Sequence, residues 1–274
     1  MNKKLASVTL LAVIAAFSAS ASAADRSGVT CASLPTFAQL QTALNASTNA
    51  GQGGASVADN GGLHLPMWAT LVDASGRVCA VAKLGSTDPW LGSRVISAQK
   101  ANTANAFSTE NVALSTANLF SAVQPGGSLY GLQHSNPVNT LVAYRGDSAA
   151  FGTASDPMVG LRVGGVNVFG GGVPLYNATG QAIGAIGVSG DTSCADHNVV
   201  WQLRKNLAGM GTGSGVVVNA VPGGVGTPGD NIVFDITANV NGGTGVSAGG
   251  FGHAECINTV APDAASNPAV GFGI

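Results

Sequence analysis

The sequence predicts an α+β fold, a single domain built on an antiparallel sheet covered by helices. Three observations predict it. Two segments, Leu65–Leu84 and Gly171–Gly190, each read as strand, tight turn, strand. Helical patterns fall between and after them. No regular βαβαβ alternation runs along the chain, which argues against a doubly wound parallel sheet.

The elements follow in order. Leu34–Ala46 has Pro35 near its start and Phe37, Leu40 and Leu44 on one helical face. Asn49–Gly62 is a Gly-rich loop. In the first hairpin "DASG" (Asp73–Gly76) is the turn between two runs of β-formers. Asp88 is an N-cap and Pro89 a first-turn proline for a helix over Trp90–Phe107, rich in Ala, Ser and Asn and so able to lie close to a sheet. "STEN" (Ser108–Asn111) offers a second cap, for a short helix ending near Val123, and "QPGGSLYGL" (Gln124–Leu132) breaks it. Asn136–Gly171 reads either as strands or as the rim of a pocket. In the second hairpin "NATG" (Asn177–Gly180) is the turn. Thr192–Ala208 is the clearest helix, with Leu203 and Leu207 on an apolar stripe and Gly209 as its stop. Asn231–Val240 reads as a last strand.

Composition narrows the class. Lys3 and Lys4, the apolar run Leu5–Phe17 and the small residues Ala21–Ala23 make a secretory signal peptide over residues 1–23. The apolar run is shorter than the roughly 20 residues of a membrane span. The expected location is therefore periplasmic or secreted. Removing two Lys leaves 9 basic against 13 acidic residues, a net charge of −4, which attracts neither nucleic acid nor an anionic membrane. The remaining chain divides into a domain over 24–210 and a Gly-rich C-terminal extension, 211–274, packed on it.

The chain has 4 Cys and 4 His, and half of each stand in "CADH" (Cys194–His197) and "HAEC" (His253–Cys256). Four such ligands suit a tetrahedral zinc. In an exported chain a Cys194–Cys256 disulfide is the favoured reading, and Cys31 and Cys79 are then left for each other, although sequence alone allows three pairings. The first bridge closes a loop of about 60 residues, worth on the order of 4 kcal/mol in the chain-entropy model. His197 and His253 then become a candidate metal pair, for iron, copper or the axial positions of a heme. Near the start of its helix His197 is disfavoured as imidazolium, and neutral imidazole is the form that binds metals. The alternative is that both are polar residues without a ligand. His64, just before the first strand, and His134, in a loop, are further axial candidates against solvated loop residues.

Three stretches taken together, "VDASGRVCAVAKL", "ISAQKANTANAFST" and "GGVPLYNATGQAIGAIGVSGD", resemble the GlcG/HbpS family of heme-binding proteins. The resemblance covers about Leu34 to Ala208. It implies a profilin- or PAS-like domain with a five-stranded antiparallel sheet, a tendency to homo-oligomers, and heme or iron as cofactor. Two departures stand out: a Gly-rich insertion near Asp147–Val168 and the extension after Gly209. Lys100 and Thr103 lie in the family's helix motif and Thr109 at the following cap, where they could line a pocket and meet a heme propionate. Against this stand capping for Thr109 and a solvated side chain for Lys100. Arg94 and Arg162 are candidates for anionic groups, and Trp68 and Trp90 for pocket walls or core.

No catalytic residue is assigned. "GMGTGSG" (Gly209–Gly215) opens at a helix end, the wrong place for a dinucleotide fingerprint. Ser189 lies in no G-x-S-x-G elbow. The leading expectation is an exported protein that binds a tetrapyrrole or iron and stores, shuttles or senses it. The alternatives are an enzyme acting on a small organic molecule in the same pocket, and a ligand-free oligomeric module favoured by low charge and many small residues.

Overall fold

The computed structural model describes residues 26, 28–48, 61–84, 89–226, 229–240, 242, 245–257 and 259. The predicted signal peptide, most of the Asn49–Gly62 loop and the Asp88 cap lie outside these residues. The elements are α1 (Phe37–Thr48), β1 (Trp68–Asp73), β2 (Val78–Lys83), α2 (Leu91–Phe107), the single turn α3 (Thr140–Ala143), β3 (Gly172–Tyr176), β4 (Ala182–Ser189), α4 (Ser193–Gly209), β5 (Ile236–Thr237) and β6 (Val246–Ser247).

Each predicted hairpin forms, and the two join through their N- and C-terminal strands. The sheet order is β2-β1-β4-β3 and every pairing is antiparallel. Leu71 faces Ile186, and Ala69 faces Val188, across the central β1–β4 pair. Successive residues of a strand point to opposite faces. Ala69 and Leu71 therefore join a core under α1 and α4 with Leu40, Leu44, Val199, Leu203 and Leu207. Trp68 and Val72 join a second core under α2 with Val95, Ala98, Ala101 and Ala104. The result is three layers, with α2 on one face of the sheet and α1 with α4 on the other.

The small residues of α2 and the glycines of β4 explain how close these layers come. A Cβ on Gly187 would lie 2.0 Å from the Ser97 carbonyl oxygen and 2.5 Å from the Ala101 amide nitrogen. Only glycine permits that approach.

Three expectations are corrected. The main sheet has four strands, not five. Asn231–Val240 does not add to it, and only Ile236–Thr237 pairs, with Val246–Ser247. Residues before it spend their backbone groups elsewhere: Ile232 N–H donates to His197 Nε2, and the Val233 carbonyl accepts from His253 N–H. The helix expected to end near Val123 is two 3₁₀ turns, Ala117–Leu119 and Ser121–Val123.

Two disulfides fasten the ends of the fold. Cys31–Cys79 joins the N-terminal segment to β2, and Cys194–Cys256 joins α4 to the extension. Their Cα separations, 5.2 and 6.0 Å, suit such bridges. The insertion around residue 156 is held by Arg94, whose guanidinium makes a two-pronged pair with Asp156 at 2.8 and 2.5 Å and donates to the Ala143 carbonyl. The extension is held likewise by Arg204, paired with Asp230 at 2.5 and 2.9 Å. Arg94 and Arg204 are thus occupied by the protein's own carboxylates. Arg162 donates to the carbonyl and hydroxyl of Ser75.

Candidate functional site

The predicted histidine pair meets around the Gly170 backbone. His197 is carried inward by α4 and His253 by the extension, and their exposures are 0% and 2%. Gly170 N–H donates to His253 Nε2 at 3.4 Å, and a Cβ on Gly170 would lie 3.0 Å from the His197 Cβ. A residue larger than glycine would collide with α4, its Cβ only 2.2 Å from the Ser193 carbonyl oxygen.

The electrostatics of the pair are those of neutral rings. Burial, then the nearby His253 and Arg204, push the His197 pKa down to about 3. Burial pulls His253 down to about 4, against the Ala254 carbonyl bond, which favours its proton. His253 Nδ1 lies 2.6 Å from that carbonyl and so carries the hydrogen, leaving Nε2 to accept from Gly170. His197 Nε2 accepts from Ile232 N–H at 3.1 Å, which puts its hydrogen on Nδ1, a buried atom with no hydrogen-bond partner among the described residues.

This geometry does not fit a heme. In each ring one nitrogen carries the hydrogen and the other accepts from the backbone, so neither lone pair is presented to an iron. The His253 ring also packs against Phe120, with centroids 4.7 Å apart, and its edge meets Phe234. A macrocycle has no face to approach.

The remaining sequence candidates are placed as follows. Lys100 is neither solvated nor in a pocket. It is fully buried, donates to Asp196 at 2.7 Å and to the Val188 carbonyl at 3.1 Å, and lies over the Phe169 ring. Burial lowers its pKa, against the pull of Asp196, while burial raises Asp196 to about 6. Thr103 is buried; its hydroxyl donates to the Gln99 carbonyl and accepts from Asn167 N–H. Thr109 caps a turn, not a helix, by accepting from the amides of Asn111 and Val112. His64 is exposed and has a left-handed backbone, φ 63°. His134 is exposed in its loop. Trp68 is a core residue whose indole N–H donates to the Trp90 carbonyl, and Trp90 itself is exposed.

Sequence reasoning missed a cleft of about 560 Å³ between residues 120–128 and the β5–β6 ribbon. Phe120, Pro125, Ile236 and Val246 give it apolar walls, and Ser121, Gln124, Ser128 and Asn239 supply neutral polar groups. Phe120 and Ala254, two of the residues against the His253 ring, both line it. No local motif announces this cleft, because its two sides lie more than 100 residues apart in sequence.

An antiparallel sheet with a small-residue helix on one face and glycine-rich strands in contact with it defines the α+β class read from the motifs. The family model described as "Haem degrading protein HbpS-like" matches residues 44–204, more than half of the chain, and the chain belongs to that family. Among solved structures, the chain is similar to one titled "Crystal Structure of PduOC:Heme Complex". The identity is 24% over 62% of this chain and 89% of that one, with a TM-score of 0.41. It is similar also to Klebsiella pneumoniae protein ORFY, of family DUF336, at 24% identity over 65% of this chain and 89% of that one, with a TM-score of 0.41. No curated protein matches.

Proposed function

We propose that the protein is an exported heme-binding protein that stores, carries or senses heme, with the macrocycle seated in the cleft beside Phe120. Membership of a family described as haem-degrading, over residues 44–204, carries the heme reading. The cleft is favoured over the histidine pair because the pair is closed, while the cleft's volume of about 560 Å³ falls in the range of small-molecule sites. The signal-like start and the two disulfides support export to an oxidising compartment.

The test is a hemin titration of the purified chain, followed at the Soret band. Saturation near one heme per chain with a displaced band is expected. Ser128→Trp, which fills the cleft, should weaken binding at least tenfold, and His197→Ala should leave it unchanged. A purely additive spectrum overturns the heme reading. Binding that survives Ser128→Trp and is lost in His197→Ala moves the heme to the buried pair. A second reading, a ligand-free module that assembles with its own copies, is favoured by one observation. Lys100 and Thr103 of the family motif spend their polar groups inside the fold, and the exposed Thr109 spends its hydroxyl on its own turn.

A further inference from the structure

We propose that Cys194, Cys256 and His253 form a redox-gated metal site. Reduction of the disulfide opens two thiolates and one imidazole to a divalent transition-metal ion of zinc type. The two sulfurs and one ring nitrogen of His253 all lie within 4.8 Å of one another. Two sulfurs and a nitrogen are a donor set suited to zinc, and three protein ligands leave a fourth position for water.

The surroundings favour the thiolate form. Cys194 lies in the first turn of α4, whose helix dipole stabilises negative charge. The Cys194 N–H donates to Cys256 Sγ at 3.3 Å, and the Ser193 hydroxyl lies 3.6 Å from the same sulfur. Both are placed to hold a charged sulfur once the bridge opens. Cys194 is buried while Cys256 is half-buried, so the bridge is open to attack from the Cys256 side. The metal displaces one of the two backbone hydrogen bonds of the His253 ring, from Gly170 or to Ala254. A small ion fits where a macrocycle does not.

The chemistry balances with a dithiol as reductant. Its two thiols become a disulfide, and the two electrons and two protons pass to Cys194 and Cys256. Metal binding then releases the two thiol protons. The other cysteine cluster, Cys31, Cys79 and Asp73, has the same spacing, but the Asp73 carboxylate is held by Ser75 and Arg77 amides and by the Ser75 hydroxyl in its turn.

The test uses the full chain, without heme, reduced by a phosphine that is then removed under argon. Cobalt(II) is titrated in and afterwards displaced by zinc(II). The oxidised chain should bind no cobalt. The reduced chain should show a thiolate-to-cobalt charge-transfer band saturating at one ion per chain and bleached by zinc. His253→Ala should weaken binding at least tenfold, and Cys194→Ala with Cys256→Ala should abolish the band. An absent band in the reduced chain overturns the proposal, as does a band that both variants retain. If reduction loosens the fold, zinc should restore protection of the extension against protease in the wild type and not in His253→Ala. No protection by zinc would equally overturn it.

Discussion

Arg204 shows how a single residue decides the placement of the extension. Its guanidinium is buried on Asp230, which is 0% exposed, and lies over the Trp201 ring. Arg204→Met leaves that carboxylate buried and alone, which costs about 3–5 kcal/mol. Chemical denaturation should show that loss, and Arg204→Met with Asp230→Leu should recover part of it. Equal stability of Arg204→Met and wild type would contradict the pair's role. The buried histidines give a pH dependence whose sign follows from their pKa values. His197 falls from 6.5 to about 3 and His253 from 6.5 to about 4, so their contribution is present above pH 6.5 and lost as pH falls. Asp196, raised from 3.8 to about 6, acts in the opposite direction between those values. Two groups outweigh one, so the denaturation midpoint should drop between pH 7 and pH 5; a flat or rising profile would sink this reading. At this scale the sequence singled out candidate residues and not what they touch. His197, His253 and Lys100 were legible as unusual, but their partners Ile232, Gly170 and Asp196 lie in segments that only the fold brings together.

Among the elements, the hairpins and α2 with α4 were legible because each carries its own local signal. Asp73–Gly76 and Asn177–Gly180 supply the turn chemistry, and apolar residues at the right period supply the faces. The misread elements lack such a signal. Asn231–Val240 has the composition of a strand, yet its amides and carbonyls bond to side chains and loops, so tertiary contacts override its propensity. The α2–sheet contact is tested by two glycines. Gly187→Ala places a methyl against the backbone of α2 and should destabilise by about 1–3 kcal/mol. Gly92→Ala, exposed in the first turn of α2 with nothing within 4 Å, should instead stabilise by up to about 1 kcal/mol. Thermal unfolding distinguishes them, and a shift of the same sign for both would contradict the packing described.

For the whole molecule, the extension closes the histidine pair and forms one wall of the cleft. It is fastened by Asp230, by the Cys194–Cys256 bridge and by the Ser121 hydroxyl on the Gly252 carbonyl. The bridge was the favoured one of three pairings for a chain expected to be exported, whereas the cleft was not legible, since no short motif encodes a surface built from distant segments. Replacing Cys194 and Cys256 with Ser should speed proteolysis after Gly209, and unchanged digestion would show that the bridge does not hold the extension. The same variant, its hemin affinity measured beside that of the oxidised wild type, tests whether heme sits in the cleft. Saturable binding is expected in the wild type and at least tenfold weaker binding in the variant, because the cleft loses a wall. Equal or tighter binding in the variant, or none in the wild type, would contradict it.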